Sequence, residues 1–330
     1  MAKHVRFHET GGPEVLKIEE VPTPEPKSGE VRIRVHALDL NRAESMYRTG
    51  RYVIEPQFPA TLGYEASGVI DAVGSEVKDF VVGDAVSVIP AFMFDEYGLY
   101  GDLVVAPARA VVKNPVGVSW ETAAATWMPY TTAWGALIDI AKLKAGEFVV
   151  LGAASSSVGL AAMEIAYSVG ATPIAITRKD EKVKELQDAG AKHILQVGVH
   201  DIEKEILKLT GGKGARVVFD PVTGPDFENV IKATSKDAIV FIYGALSHDA
   251  TPIPVMHILG KHTTIRGYEF IEVTADDEKL ARAKKFITEG MASGKFNAKV
   301  ARTFKFEEIV QATQFLESNA QFGKVIVTID

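Results

Sequence analysis

Beyond about Glu147 the apolar positions alternate between two patterns. Short apolar runs, "EFVVLG", "TPIAIT", "KHILQV", "ARVVFD" and "AIVFIYG", predict buried strands, and "TTIRGYE" predicts a sixth. Amphipathic stretches separate them. Val158, Ala161, Ala162, Ile165 and Val169 recur at three- and four-residue steps, one face of a helix over 157–169 that Gly170 stops. "KDEKVKELQDAGA", "DIEKEILKLTGG" and "PDFENVIKAT" predict three more helices. Strands alternating with helices of roughly 10–13 residues imply a parallel sheet covered on both faces, a doubly wound α/β domain.

Before residue 120 the texture changes. "VLKIEEV", "GEVRIRVHAL", "ASGVIDAVG", "DAVSVI" and "LVVAPARAVVKNP" read as short strands punctuated by Gly and Pro, a mainly antiparallel barrel or sandwich. After about residue 268 come two amphipathic helices, near 277–292 and 306–317, and a closing strand, "GKVIVTI". That tail is too short to bury a core alone and is expected to fold back onto the N-terminal part. The organisation predicted is one domain from 1–122 with 268–330, and a second from 123–267. A chain of 330 residues, 47% of them apolar, supports two such cores.

Composition narrows the chemistry. A formal net charge of −7 disfavours nucleic acid or an anionic membrane as partner. There is no long apolar run for a membrane span and no leader-like N-terminus, so a cytoplasmic location is expected. The chain has no cysteine, which excludes disulfides, cysteine-ligated zinc, iron–sulfur clusters and cysteine nucleophiles.

The stretch "VVLGAASSSVG", residues 149–159, sits where a dinucleotide-binding turn belongs, after the first strand and before the first helix. Against the spacing G-x-G-x-x-G the key positions are Ala154, Ser156 and Gly159. Only the third keeps its glycine, where a helix must pack closely on the sheet. Ser155, Ser156 and Ser157 bring hydroxyls to a helix N-terminus that already favours phosphate, beside Val158. At the end of the second strand stand Thr177 and Arg178, with Lys182 four residues further on. An Asp or Glu there reads the ribose 2′-hydroxyl of NAD; a cation pair suits the 2′-phosphate of NADPH. A plain serine-capped turn and a solvated charged helix face are the alternatives.

"LGYEASGVIDAVGSEVKDFVVGDAVS", the turn just described, "DPVTG" and the final "GKVIV" together resemble the medium-chain dehydrogenase/reductase superfamily over nearly the whole chain. The resemblance implies a Rossmann cofactor domain and a GroES-like mainly antiparallel β-barrel domain. The family's alcohol dehydrogenases hold a catalytic zinc with Cys and His. Here Tyr64 stands at the ligand His position and no cysteine exists, so the likeness is to the zinc-free quinone oxidoreductase-like branch. That branch reduces quinones or carbonyl-conjugated C=C bonds with NADPH; relatives also include weakly catalytic zeta-crystallin-type proteins. The resemblance places Asn41 near the nicotinamide and Thr132 beside the cofactor. It puts Ser156, Gly159, Arg178 and Lys182 at the phosphates. Tyr243, Gly244, Ala245 and Leu246 would line the nicotinamide pocket, with Gly323 and Lys324 nearby. Val197 replaces a tyrosine common in quinone reductases. Members commonly form homodimers through edge strands of the cofactor domain.

Without a metal, hydrogen-bond donors must stabilise the enolate left by hydride addition. An isolated ketone is a harder target, although a metal-free carbonyl or alcohol oxidoreductase stays open. Tyr52, in "TGRY", resembles the acid tyrosine of mitochondrial enoyl reductases; lining a pocket is its bland alternative. Tyr64 reaches substrate or fills the volume a metal would vacate. Arg42 and Glu44 read as a salt bridge or solvated pair. Phe92, Phe94, Tyr97 and Tyr100 either line the cleft for a flat apolar substrate or pack a long loop. His257 and His262 read as loop residues, not metal ligands.

Overall fold

The structure, a computed structural model, describes residues 1–330. The chain divides into two units, Met1–Met128 with Lys284–Asp330, and Pro129–Ala283. These breaks fall later than the boundaries at 122/123 and 267/268 read from the sequence. The last break cuts helix Asp277–Ala292, which the sequence assigned whole to the first unit.

The second unit carries the predicted alternation. Six strands lie in the order Ile194–Gln196, Thr172–Thr177, Phe148–Leu151, Ala215–Asp220, Thr234–Ile242, Thr264–Gly267, and every pairing is parallel. In chain order this is third, second, first, fourth, fifth, sixth, the doubly wound Rossmann arrangement. Helices Ser157–Ser168, Asp180–Asp188, Ile202–Leu209 and Phe227–Lys232 connect the strands. Val150, Ile174, Val218 and Val240 from four strands pack with Ile206, Phe227 and Ile231 from the helices. The strand order reverses between Phe148–Leu151 and Ala215–Asp220, and ligands of such sheets sit at the strand ends beside that point.

Two further elements depart from expectation, the first of them spanning the break at Met128. Helix Trp127–Trp134 runs on into a wider π-helical turn, Gly135–Ile140. Val255–Lys261 is a helix, so His257 is helical and His262 is its left-handed cap, at φ 55°. The sequence read both histidines as loop because the helix is short, follows Pro252 and Pro254, and buries no side chain.

The first unit is antiparallel in the main. A seven-stranded sheet runs Val300–Lys305, Lys324–Thr328, Glu30–Leu40, Ala66–Val73, Ala85–Val88, Val111–Lys113, with Leu103–Pro107 also paired to Glu30–Leu40. A second sheet orders Lys17–Val21, Ala2–Phe7, Ala60–Thr61. The tail does fold back: Lys324–Thr328 pairs with the long strand Glu30–Leu40, and Val300–Lys305 pairs beside it in parallel. Ala2–Phe7 and Val300–Lys305 were silent in the sequence because charged residues interrupt both runs.

Candidate functional site

In the Rossmann unit the turn 152–159 is built by three close approaches. The Gly152 N–H donates to the Phe219 carbonyl at 3.0 Å, and a Cβ on Gly152 would lie 2.8 Å from the Asp220 carboxyl. The left-handed residue is Ala153, at φ 43°, so the tight turn is made one residue before the expected Ala154, at some steric cost to its Cβ. Ala154 itself is buried and donates to the Ile176 carbonyl at 3.0 Å. A Cβ on Gly159 would come within 2.6 Å of the Ala154 Cα, so here glycine is required.

Ser156 caps the helix: its hydroxyl accepts the Gly159 N–H at 3.1 Å. The Ser157 and Val158 N–H groups, first in the helix, have no main-chain or side-chain acceptor. Ser155, Ser156, Ser157 and Val158 are half-buried around them. Free N–H groups, hydroxyls and the positive end of the helix dipole at one turn are what a pyrophosphate needs.

Asp220, which the sequence reading did not single out, supports this turn. Its Oδ1 accepts the N–H groups of Val222 and, at 2.9 Å, Thr223, while burial raises its pKa. Tyr243 stacks on Phe219 with centroids 3.9 Å apart. Its phenol is pushed up by burial and by Asp220, with Ser156 pulling the other way. The segment Tyr243–Leu246 runs beside Asp220 and Pro221, through Tyr243 N–H to Asp220 O at 3.1 Å and Leu246 N–H to Pro221 O at 3.0 Å. Gly244 and Ala245 lie between. Thr132 is buried in its helix, and its carbonyl accepts the Tyr268 hydroxyl at 2.9 Å.

At the end of the second strand the structure separates two residues that the sequence grouped. The helix begins at Asp180, so Arg178 precedes it and the four-residue spacing to Lys182 is not a helical one. Lys182 is buried and bonds Glu185 at 2.7 Å. Arg178 is exposed and has no carboxylate partner. Thr177, the last residue of the strand, is buried.

In the first unit the candidate residues meet in a buried polar cluster. Lys324 Nζ pairs with Asp39, lies 3.3 Å from Glu65, and donates to Asn41 Oδ1 at 2.6 Å. Asn41 Nδ2 donates to Glu65 at 3.2 Å. Burial works to lower the Lys324 pKa, but Asp39 and Glu65 hold it above its ordinary value. Asp39 is raised well above its own, chiefly by burial, with Lys324 pulling the other way. Gly323, at φ 102°, precedes this lysine and would clash with the Lys299 carbonyl if it carried a Cβ. The Lys324 ammonium is thus committed to the interior. Asp39 and Glu65 complete this cluster; Asp39 lies in none of the motifs read from the sequence, and Glu65 is the acid of the "LGYEASG" stretch, though neither was named as a site residue.

Glu44 is not paired with Arg42, as the sequence suggested. Arg42 reaches Leu316 O at 3.0 Å and Asn319. Glu44 is 4% exposed; it accepts the N–H groups of Asn41 and Tyr64 and the Tyr100 hydroxyl at 3.0 Å. Burial raises its pKa to about 7.

Tyr64 is fully buried, its ring stacked on Phe94 at 3.8 Å. Its hydroxyl lies 3.3 Å from that of Tyr52 and 3.7 Å from Met93 Sδ. Burial first, and Tyr52 second, push the Tyr64 phenol well up. Tyr52 is half-buried and packs on Tyr47 and Phe94. The aromatic loop packs inward: Phe94 lies between Tyr47 and Tyr64, and the Tyr97 hydroxyl is held by Glu30 at 2.8 Å.

A parallel doubly wound unit with a phosphate-ready turn, joined to an antiparallel unit with a buried ionic cluster, defines a two-domain nicotinamide-type dehydrogenase or reductase. Residues 27–116 match the alcohol dehydrogenase GroES-like domain family and residues 157–289 match the zinc-binding dehydrogenase family. A Pseudomonas aeruginosa quinone oxidoreductase is 33% identical over 253 residues, 77% of this chain and 76% of that one. An Escherichia coli quinone oxidoreductase solved with NADPH superposes with a TM-score of 0.85 at 26% identity, covering 99% of this chain and 100% of that one. The CurK enoyl reductase gives a TM-score of 0.87 at 25% identity, covering 100% and 99%. The chain belongs to the medium-chain dehydrogenase/reductase superfamily, in its quinone oxidoreductase-like branch, and is an oxidoreductase.

Of the groups this family implies, a dinucleotide fits the turn for the reasons given. A zinc ion does not fit. The donors around Tyr64 are a phenol and a thioether rather than thiolate and imidazole, and nowhere do three His, Asp or Glu side chains gather to hold a metal. No helix is long and apolar enough to cross a membrane.

Proposed function

We propose that this protein is an NADPH-dependent reductase of quinones or of carbonyl-conjugated C=C bonds, working without zinc. The Tyr52–Tyr64 pair carries this reading. At the position where the resemblance sets a metal ligand, this chain has a buried phenol whose hydroxyl lies 3.3 Å from that of a second, more accessible phenol. When bound, NADPH supplies a hydride from its nicotinamide.

The serine turn 155–158 and Gly159 hold the pyrophosphate, and Arg178 meets the 2′-phosphate. Within the Rossmann unit, Thr132 and the Tyr243–Leu246 segment flank the nicotinamide; in the other unit Asn41 and Lys324 form the polar cluster. Of these, Asn41 and Lys324 act by holding each other, since their polar atoms are already engaged. The NADPH complex of the Escherichia coli relative supports the choice of cofactor.

On the substrate, Tyr52 protonates the carbonyl-side oxygen or the adjacent carbon as the enolate or hydroquinone anion forms. Tyr64 stays protonated and donates to the Tyr52 oxygen, lowering the cost of the charge that oxygen acquires. The quinone oxidoreductase and enoyl reductase relatives support these two acceptor classes, and an apolar, flat substrate suits the aromatic surroundings of Tyr52.

The working form is a homodimer. Strand Thr264–Gly267 ends the six-stranded sheet, with one edge unpaired. Beside it helix Val255–Lys261 exposes Val255, Met256 and Leu259 by 59%, 76% and 63%. A two-fold axis there would extend the sheet and cover the apolar face.

The test is to mix the purified protein with NADPH and a panel of enones and quinones and to identify the products. Oxidation of NADPH with a saturated ketone or hydroquinone product supports the reading. An allylic alcohol product, or binding without turnover on any acceptor, contradicts it.

A further inference from the structure

We infer that Gln196 is a specificity-determining residue for the cofactor's 2′-phosphate, acting by tying down the Asp180 carboxylate next to Arg178. The inference rests on the NADPH reading above. Parallel pairing sets Gln196 opposite Thr177, so the last residue of the third strand lies beside the last residue of the second. The Val197 N–H closes this end of the sheet by donating to the Thr177 carbonyl at 2.9 Å. From there the Gln196 carboxamide reaches across. Its Nε2 donates to the Arg178 carbonyl at 3.3 Å and to Asp180 Oδ1. The Gln196 N–H is itself held by His200 Nδ1 at 2.9 Å, so both ends of the residue are fixed.

The charges around this contact explain why it matters. A phosphate monoester carries about −1.5 to −2 at neutral pH. Arg178 is the cation with no carboxylate of its own, and Asp180 stands two residues away with the opposite charge. A free carboxylate at the end of the second strand repels a 2′-phosphate and accepts the 2′-hydroxyl of the unphosphorylated cofactor. Lys179 and Glu181 pair with each other at 3.9 Å, which leaves Arg178 and Asp180 to set the choice. Gln196 tips it: one amide group occupies the carboxylate and pins the backbone that carries Arg178.

The experiment measures dissociation constants of NADPH and NADH for the full-length protein by nicotinamide fluorescence. Gln196→Leu removes both donor contacts and is expected to lower the NADPH-over-NADH preference about tenfold, chiefly by weakening NADPH. Gln196→Glu, which sets a second carboxylate against Asp180, lowers it further. Asp180→Asn added to Gln196→Leu restores the preference, because it removes the charge that Gln196 had contained. A preference unmoved by Gln196→Leu, or a fall that Asp180→Asn fails to recover, overturns the inference while the NADPH reading stands. A parent protein that binds both cofactors equally overturns the NADPH reading and this inference with it.

Discussion

Two phenols, one guanidinium and one buried carboxyl divide the work at the level of single residues. Tyr52→Phe removes the acid and should lower kcat by roughly 10²-fold, with KM little changed, since a positioned acid contributes about 10²–10⁴. Tyr64→Phe removes the donor to Tyr52; a smaller fall is expected, with the alkaline limb of the kcat–pH profile moved upward. Arg178→Ala should raise the dissociation constant for NADPH at least about tenfold while leaving that for NADH within about twofold, the loss of one charge-assisted contact. Glu44 sets a pH effect on stability. Its folded pKa, about 7, exceeds the ordinary 4.5, so the folded state prefers the protonated acid. Stability therefore declines as pH rises from about 4.5 to about 7, by up to ~1.4 kcal/mol per unit, and this group adds nothing beyond. Chemical denaturation across that range should show the slope, and Glu44→Gln should flatten it. Tyr52, Gly159 and Arg178 were legible as candidates because each sits in a local motif. Lys324 was legible from the resemblance and Glu65 lay inside a quoted motif, but Asp39 was in none; the pairing of Glu30–Leu40 with Lys324–Thr328 and with Ala66–Val73 brings the three together.

Among the elements, the serine turn is the most sensitive. A methyl at Gly159 must displace the Ala154 backbone, so Gly159→Ala should destabilise by about 1–3 kcal/mol, in the range of overpacking, and weaken cofactor binding. Thermal unfolding with and without NADPH separates the two effects. The exposed helix at the sheet edge gives a second test: Met256→Glu with Leu259→Glu should convert a dimer to a monomer in sedimentation velocity without loss of secondary structure. The Rossmann strands and connecting helices were readable because their buried faces repeat with a clean period. Helix Trp127–Trp134 with its π turn was missed, being buried almost all round and so lacking a polar face to mark its period. Helix Val255–Lys261 failed for the opposite reason, since it buries nothing.

Two facts bear on the whole molecule: the chain has no cysteine, and a buried phenol, Tyr64, stands 3.3 Å from the Tyr52 hydroxyl. The superfamily was legible in the order of its motifs, and the branch in what those motifs lack. The substrate was not legible, because acceptor choice depends on side-chain packing around Tyr52 rather than on a sequence pattern. The most direct measurement follows NADPH oxidation by an enone or quinone acceptor in protein stripped of metal and assayed with excess chelator, with bound zinc quantified alongside. The account predicts full turnover at less than about 0.1 zinc per chain, with acceptor reduction matching NADPH consumed one to one. Turnover that vanishes with the chelator and returns with added zinc contradicts it.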